Sequence, residues 1–318
     1  MAPTTPTPPA PESGVAPESG AEAPRTFGRR KPPRHPLYEL TKPGITGFVM
    51  VTAGASAHVA AGGAAGLWPM IHTLVGTGLG TGGALALNQV FEREFDARMQ
   101  RTRARPIPSG RISARAAGVF GTALLAVGIL WLAVTVGVLP AAFTALSAVA
   151  YLWVYTPLKR TSYLATLAGA IPGALPALIG WTAAGGSAFD LGGWVLFGIF
   201  FLWQLPHVLA LAWLLQDDYR TVGFFLMPPS DPDGRKIGRH MVFHSLSLVL
   251  LGFAPTLLGL TGWIYGAGAT VLNLGMLAAC MAAASDMSFD RVKRVFFASL
   301  LYQPLILALL LVDTRPLP

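Results

Sequence analysis

The most constraining feature of this sequence is a series of apolar segments, each about as long as a membrane-spanning helix. An α-helix needs about 20 mainly apolar residues to cross the hydrocarbon core of a bilayer, and lipid tolerates only helices or closed barrels. Overall, 53% of the residues are hydrophobic and 12% are charged. The sequence therefore predicts an all-α, polytopic membrane protein with nine transmembrane helices. The predicted spans are residues 43–63, 72–91, 116–138, 140–157, 163–184, 191–214, 241–260, 263–284 and 294–312.

The basic residues follow the alternation of these spans. Every Lys and Arg except Arg315 falls before the first span or beside the loops after spans two, four, six and eight. This distribution is typical of the positive-inside rule, so we expect a multi-pass protein of the cell (inner) membrane, with a cytoplasmic N-terminus and an external C-terminus. The net charge of +8 is accounted for by these loops, and we expect the lipid bilayer, and no nucleic acid, as a partner.

The N-terminal region differs in composition from the rest. Residues 1–36 are dominated by Pro, Ala, Thr, Glu and Gly and contain no apolar block. Such a composition predicts a disordered cytoplasmic tail. The membrane domain is expected to occupy residues 37–318.

Three oxygen-bearing residues lie at the end of the second predicted span. Asn88, Glu92 and Asp96 are spaced by four, so a helix would present them on one face. Carboxylate and amide oxygens are suitable ligands for hard cations such as Mg2+ that bridge to a diphosphate. The alternative is a solvated helix end whose acidic and basic residues form i,i+4 pairs.

A second acidic pair, Asp217 and Asp218, ends the sixth span. Spans two and six run in the same direction, so both acidic motifs are expected at the cytoplasmic side. Two facing carboxylate sets could hold more than one metal ion around one diphosphate. The alternative is that the two aspartates cap a helix or pair with Arg220.

Cations cluster at the same predicted edge. The arginine run that follows Asp96 could grip phosphate oxygens. Lys42 before span one could touch an anionic ligand or anchor to lipid headgroups. Lys159 and Arg160 after span four could bind phosphate or, with Tyr151, Trp153 and Tyr155, mark the membrane interface.

Spans five and six carry further unusual residues. Span five contains GAIPGALPALIGW, whose Gly and Pro residues predict a bent helix that forms a cavity wall. Span six contains WQLPHVLALAW, in which Gln204 and His207 are polar groups inside an apolar run. His207 could bind a ligand or be a packed polar residue.

The motifs together resemble the UbiA superfamily of intramembrane prenyltransferases and, within it, the protohaem IX farnesyltransferases, or haem O synthases. The resemblance extends from about residue 40 to 313. Its most particular elements are D-x-x-M-x-R-T-x-x-R-P, here Asp96 to Pro106, and W-Q-x-P-H, here Trp203 to His207. LTKPGIT, YLWVYTPLKR, DDY and RVFFASLLYQPLILALLLVD also match.

The resemblance implies a UbiA-like bundle of nine helices around a central cavity. It implies Mg2+ as the cofactor and transfer of a farnesyl group from farnesyl diphosphate to the vinyl group of haem B, giving haem O and diphosphate for haem-copper oxidases. A downstream haem A synthase or oxidase assembly protein is a further expected partner. The residues implied for metal and diphosphate binding are Asn88, Glu92, Asp96, Asp217, Asp218, Arg101, Arg105, Lys159 and Arg160, and His207 is implied for haem.

Three positions depart from the pattern. Glu92 and Glu94 stand where many relatives have aspartate, Gly44 replaces an arginine common after K-P, and the PPSDPDGRK insertion has no assigned role. Two alternatives follow: another UbiA-type transferase acting on a quinone precursor or a chlorin, or a transporter or haem-binding scaffold without chemistry. Transporters bind near the bilayer midplane, whereas these acids and cations collect at one edge.

Overall fold

The structure is a computed structural model that describes residues 34–226 and 231–316. Most of this described part is helical, and it contains no β-strand. The predicted tail lies almost wholly outside the described residues. Nine long helices correspond to the nine predicted spans: α1 Pro43–Ala60, α2 Leu67–Phe91, α3 Ala114–Thr135, α4 Val138–Leu158, α5 Ala165–Ala183, α6 Leu191–Leu214, α7 Arg235–Leu257, α8 Trp263–Ala284 and α9 Phe289–Val312.

Eight of the nine, α2 to α9, are both long and apolar enough to cross a membrane within the described ranges. The exception is α1, which has 18 residues and the sequence PGITGFVMVTAGASAHVA. Its Gly, Ser, Thr and His residues lower its apolar character, because the helix is built to pack closely against neighbours rather than to face lipid all round. The prediction of an all-α polytopic membrane fold is confirmed.

Small residues bring the helices of the first half into close contact. A β-carbon on Gly83 of α2 would lie 2.6 Å from the carbonyl oxygen of Gly121 on α3. A β-carbon on Gly180 of α5 would overlap the carbonyl oxygen of Ala53 on α1. Ser56 of α1 donates a 2.6 Å hydrogen bond to a carbonyl on α5. Packing of this kind suits membrane helices, in which small residues allow close backbone approach.

Helix α5 continues through two internal prolines, Pro172 and Pro176. Proline at 176 has no N–H for the carbonyl four residues earlier, which belongs to Pro172. The hydroxyl of Ser147 on α4 donates to that carbonyl at 3.1 Å. A neighbouring side chain therefore satisfies the backbone group freed by the proline, as membrane helices require.

The second half of the bundle contains a buried polar seam. The hydroxyl of Tyr302 on α9 donates to the side-chain oxygen of Asn273 on α8 at 2.7 Å. The indole of Trp203 on α6 donates to the backbone oxygen of Ser299 on α9 at 2.9 Å. At the opposite end of α9, Asp313 accepts a 2.7 Å hydrogen bond from the backbone of Tyr265. These bonds fix α6, α8 and α9 relative to one another.

Candidate active site

The first acidic motif lies where α2 ends. The helix stops at Phe91, Glu92 forms its C-cap, and a short helix, Arg93–Arg98, follows. Backbone hydrogen bonds from Glu92 to Asn88 and from Asp96 to Glu92 keep the i→i−4 pattern across the junction, at 2.9 and 2.8 Å. The side chains predicted to share a face are all buried, with exposed fractions of 1% for Asn88, 5% for Glu92 and 0% for Asp96.

Each buried carboxylate of this motif contacts a basic side chain. The guanidinium of Arg105 donates to both carboxylate oxygens of Asp96, at 2.8 and 2.6 Å. Lys159 at the end of α4 forms an ion pair with Glu92. A charged group removed from water is costly unless it is paired, so these partners offset the cost of burying the two carboxylates. The alternative of i,i+4 pairs along a solvated helix end does not describe Glu92 and Asp96.

The third member of the motif, Asn88, contacts α4. Its side-chain amide donates to the hydroxyl of Thr156 at 3.1 Å, and that hydroxyl donates to the backbone oxygen of Tyr151 at 2.8 Å. The amide nitrogen of Asn88 is thereby engaged. Its amide oxygen remains a possible metal ligand on the same face as the two carboxylates.

The ammonium group of Lys159 contacts two aromatic rings. The residue is 5% exposed, and its ammonium nitrogen lies 4.7 Å from the ring centroid of Tyr155 and 5.2 Å from that of Phe224. Its backbone oxygen accepts a 2.7 Å hydrogen bond from Phe225, in the loop after α6. The rings supply cation–π stabilisation and restrict the ammonium to the neighbourhood of Glu92.

Lys42 lies beside this cluster, immediately before α1. Its backbone is left-handed, with φ of 44°. The pKa of Lys42 is lowered to about 7, mainly by loss of hydration and also by repulsion from Arg105, while Glu92 and Asp96 act in the opposite direction. These interactions place the Lys42 ammonium within electrostatic range of the two ion pairs.

The second acidic motif is differently placed. Asp218 lies in a short helix, Gln216–Val222, and its two carboxylate oxygens accept hydrogen bonds from the backbone N–H groups of Gln100 and Arg101, both at 3.2 Å. Asp217 is exposed. In the part of the chain that the structure describes, neither aspartate pairs with Arg220. The structure therefore joins Asp218 to the loop after the first motif.

The remaining predicted cations lie at the exposed rim. Arg101 and Arg160 are exposed. The guanidinium of Arg160 stacks 4.2 Å from the ring centroid of Phe95, and that of Arg98 lies 5.1 Å from the same ring. These contacts hold the basic residues next to the buried pairs without placing them in ion pairs with the first motif.

An apolar cavity of about 130 Å3 opens between α1, α2, α4 and α5. The prediction that span five forms a cavity wall is confirmed. Tyr151 lines the cavity and stacks on Tyr155, with ring centroids 5.6 Å apart and an interplanar angle of 19°. The other lining residues are Ile45, Val49, Gly80, Thr81, Ala84, Leu85, Thr144, Ser147, Ala148, Gly169, Pro172, Gly173, Pro176 and Ile179.

His207 lies elsewhere, at the interface of α6 and α9. Its Nδ1 is 2.8 Å from the hydroxyl of Ser299. Its ring stacks between Trp203 and Phe296, with centroid distances of 5.9 and 4.9 Å. His207 is not among the residues that line the apolar cavity. The contact with Ser299 engages Nδ1 and fixes the orientation of the ring.

The chemistry of the first motif fits a magnesium ion. Its donors are two carboxylates and an amide, all oxygen ligands on one face. The described residues contain no group of three His, Cys, Asp or Glu side chains that could by itself enclose a metal. Mg2+ is usually held by one or two protein carboxylates, with water and substrate phosphates completing its shell. An oxygen-rich set of this kind is therefore adequate.

Comparison with known families decides the class of protein. The UbiA prenyltransferase family matches residues 48–301, most of the chain. The chain belongs to the UbiA prenyltransferase family. The protoheme IX farnesyltransferase of Solibacter usitatus is 40% identical over 287 residues, covering 87% of this chain and 98% of that protein. The protoheme IX farnesyltransferase of Salinibacter ruber is 42% identical over 276 residues, covering 86% and 96%.

Solved structures of UbiA proteins share the fold. A digeranylgeranylglyceryl phosphate synthase superimposes with a TM-score of 0.72 at 14% identity, covering 87% of this chain and 96% of that one. A UbiA homologue from Archaeoglobus fulgidus bound to GPP and Mg2+ gives a TM-score of 0.61 at 15% identity, covering 87% and 99%. The helical bundle is thus the UbiA fold.

Three neighbours of the site were not predicted from the sequence. Tyr151 and Tyr155 were assigned to an interfacial belt, but Tyr151 lines the cavity and Tyr155 contacts Lys159. Trp153 is 58% exposed, which suits the belt. The i,i+4 spacing of Tyr151, Tyr155 and Lys159 would have indicated one shared face. No spacing pattern in the sequence indicates that Thr156 contacts the site.

Proposed function

We infer that this UbiA enzyme transfers a farnesyl group from farnesyl diphosphate to the vinyl group of haem B, giving haem O and diphosphate. The observation that carries this inference is the identity of about 40% with protoheme IX farnesyltransferases over nearly their full length. The charged cluster next to an apolar cavity supports it, because the two parts match the two ends of a prenyl diphosphate.

We propose that the diphosphate lies at the charged cluster. Asn88, Glu92 and Asp96 would hold Mg2+, which supplies charge neutralisation for the leaving diphosphate. Once Mg2+ neutralises the carboxylates of Glu92 and Asp96, their present partners Lys159 and Arg105 are free to bind diphosphate oxygens. Lys42, Arg101 and Arg160 add positive charge around them. Asp217 and Asp218 form the other side of this rim, where Asp218 holds the loop that carries Arg101.

These residues assist bond breaking by stabilising negative charge as it develops. A prenyl diphosphate ionises only if the departing oxygen is stabilised, and fixed cations in a site of low water content do this effectively. The apolar walls between α1, α2, α4 and α5 keep the allylic cation from water until the haem vinyl group reaches it. Water then adds to the cation on the porphyrin side, which gives the hydroxyethylfarnesyl group of haem O.

We propose that His207 contributes to holding haem B. Ser299 engages Nδ1 and orients the ring, so Nε2 can meet a ligand. Hydrogen bonding at one ring nitrogen is the usual way in which proteins direct the other towards a metal. The stacked rings of Trp203 and Phe296 provide flat apolar surfaces of the kind that a porphyrin edge can contact.

The distribution of charge supports a location and an orientation. We propose the cell (inner) membrane, with the N-terminus in the cytoplasm, the C-terminus outside and the active site at the cytoplasmic side, because the Lys and Arg residues cluster at that end. Delivery of haem O to a haem A synthase or an oxidase assembly protein would follow in the same membrane.

The proposed function is tested with purified protein in detergent, haem B, farnesyl diphosphate and Mg2+, followed by mass analysis of the extracted haem. We expect a metal-dependent gain of one farnesyl unit plus water. A folded protein that binds both substrates but gives no new haem would point to a quinone precursor or a chlorin as acceptor. Failure to bind any prenyl diphosphate would favour a transporter or scaffold.

A further inference from the structure

An irregular turn of α4 lies where the apolar cavity meets the charged cluster. Residues Ala150–Tyr155 are π-helical, whereas α4 is α-helical before and after them. π-Helical turns are rare in proteins, but those that occur are often found at functional sites. Such a turn displaces side chains from the positions that an α-helix would give them. The side chains displaced here include Tyr151 and Tyr155.

Two further features hold these rings in place. Tyr155 has the Lys159 ammonium 4.7 Å from its ring centroid, and Tyr151 stacks on Tyr155 at 5.6 Å. Opposite them on α5, a β-carbon at Gly169 would lie 2.7 Å from the ring of Tyr155. The missing side chain at residue 169 therefore makes room for the ring. Gly169 and Tyr151 both line the cavity.

The result is a continuous path from charge to cavity. Glu92 pairs with Lys159, Lys159 lies over Tyr155, and Tyr155 stacks on Tyr151, which faces the cavity. In a prenyl diphosphate with its diphosphate near Lys159 and its tail among the apolar walls, the first carbons would pass the Tyr155–Tyr151 stack and reach the cavity at Tyr151. This placement rests on the proposed function.

We propose that Tyr151 is a catalytic residue that stabilises the allylic cation through the face of its ring, and that Tyr155 is a positioning residue. The C1–O bond breaks heterolytically and its electron pair leaves with the diphosphate oxygen, so positive charge spreads over C1 and C3 of the farnesyl group. An aromatic face attracts a cation, and the attraction is stronger where water is excluded.

The ring itself is unchanged through the reaction. The vinyl π electrons of haem form the new bond to C1, and the resulting cation on the vinyl carbon beside the porphyrin accepts a water oxygen. That water gives up a proton to solvent. Tyr151 neither transfers a proton nor exchanges electrons, so its hydroxyl is dispensable and its ring is required.

The first test compares Tyr151→Phe, which keeps the ring, with Tyr151→Leu, which keeps apolar bulk without it. We expect Tyr151→Phe to keep kcat within about threefold, and Tyr151→Leu to lower kcat about 30-fold, the effect of a desolvated cation–π contact. KM for farnesyl diphosphate should change little in either variant. Trp153→Leu, an exposed ring in the same π-helical turn, serves as the matched control and should leave kcat unchanged.

Two results would overturn the proposal. Equal loss in Tyr151→Phe and Tyr151→Leu would assign the effect to the hydroxyl. A rise in KM with unchanged kcat in Tyr151→Leu would make the residue only a wall of the cavity.

A second measurement serves if Tyr151→Leu does not fold. Phenylalanines with increasing numbers of ring fluorines are incorporated at residue 151, because fluorination weakens the negative face while the shape is almost conserved. The logarithm of kcat should fall steadily with fluorination, and a flat series would exclude a cation–π role. Wild-type protein is assayed in parallel: no haem O from wild type contradicts the proposed function itself, whereas active wild type with an unaffected series contradicts only the role of Tyr151.

Discussion

The two acidic motifs lie at the same end of the bundle and carry the same chemical groups, yet their environments are opposite. Glu92 and Asp96 are buried and pair with Lys159 and Arg105. Asp217 is exposed, and Asp218 binds backbone N–H groups of the loop that follows the first motif. One motif is a desolvated cluster of interleaved charges, and the other secures the chain segment beside it.

The contrast shows that carboxylates at equivalent helix ends need not share a role. Removing a charged group from water is costly unless it is paired, which is why Glu92 and Asp96 lie against Lys159 and Arg105. Under the proposed function, a divalent cation would replace Lys159 and Arg105 as the partner of these carboxylates when a diphosphate binds the two basic groups. Asp218 instead accepts hydrogen bonds from backbone N–H groups, and we propose that it affects catalysis by ordering the loop that carries Arg101.

The largest expected effect is at Asp96. Asp96→Asn removes the charge that Arg105 contacts and one of the oxygens proposed to hold Mg2+, so we expect kcat/KM to fall about 1,000-fold. Haem O formation measured by chromatography gives the rate, and retention of a monodisperse folded species in detergent is checked alongside. Glu94→Gln is the matched control, because Glu94 lies in the same short helix with its side chain 75% exposed. Comparable losses in both variants would remove Asp96 from the site.

A second test compares two adjacent cations. Lys159 is buried against Glu92, whereas Arg160 is exposed over Phe95. We expect Lys159→Met to lower kcat about 100-fold and Arg160→Met only about threefold, since an electrostatic contact is stronger in a site from which water is excluded. The steady-state rates of both variants provide the check. Equal losses of kcat in the two variants would show that burial does not determine how much each cation contributes to catalysis.

A third, smaller effect is expected for the loop. Asp218→Ala removes both acceptors of the Gln100 and Arg101 N–H groups, and we expect KM for farnesyl diphosphate to rise about 10-fold because an ordered loop must then be formed on binding. Limited trypsin digestion should cut faster at Arg101 and Arg103 in this variant, whereas Asp217→Ala should keep the wild-type digestion pattern. Unchanged cleavage in Asp218→Ala would contradict the tethering role.

The smallest effect is a pH dependence at Lys42, whose pKa is lowered to about 7. Below that value the ammonium is charged and attracts diphosphate, and above it the free enzyme loses this charge. KM for farnesyl diphosphate should therefore rise a few-fold between about pH 7 and pH 9. Lys42→Arg keeps its charge and should flatten the profile. A parallel rise in both proteins would assign the dependence to another group.

The same pKa shift has a consequence for stability. Folding lowers the pKa of Lys42 from 10.5 to about 7. The unfolded chain therefore binds more protons within this window, and the contribution of Lys42 makes the folded state more stable as pH rises through it.

Local spacing predicted much of the fold and the grouping of the first acidic motif. Apolar length gave the nine helices, and two of them, Leu191–Leu214 and Trp263–Ala284, begin and end where the sequence predicted. The four-residue spacing of Asn88, Glu92 and Asp96 predicted their common face, because helical geometry depends only on near neighbours. The proline and glycine pattern of α5 likewise predicted a cavity wall.

Contacts between distant residues could not be predicted in this way. Asp218 meets Gln100 and Arg101 across more than 100 residues of chain, and no local pattern specifies that partner. The Glu92–Lys159 pair depends on how α2 packs beside α4. Tyr151 resembled an interfacial residue because aromatic composition alone does not distinguish a lipid-facing ring from one that lines a cavity.

The most direct test of the difference between the motifs is calorimetric binding of farnesyl thiolodiphosphate, a slowly ionising analogue, with and without Mg2+. The protein should bind the analogue tightly only with Mg2+, Asp96→Asn should lose the Mg2+-dependent part, and Asp218→Ala should keep it with weaker overall affinity. Loss of Mg2+ dependence in Asp218→Ala with full retention in Asp96→Asn would contradict the account and place the metal at the second motif.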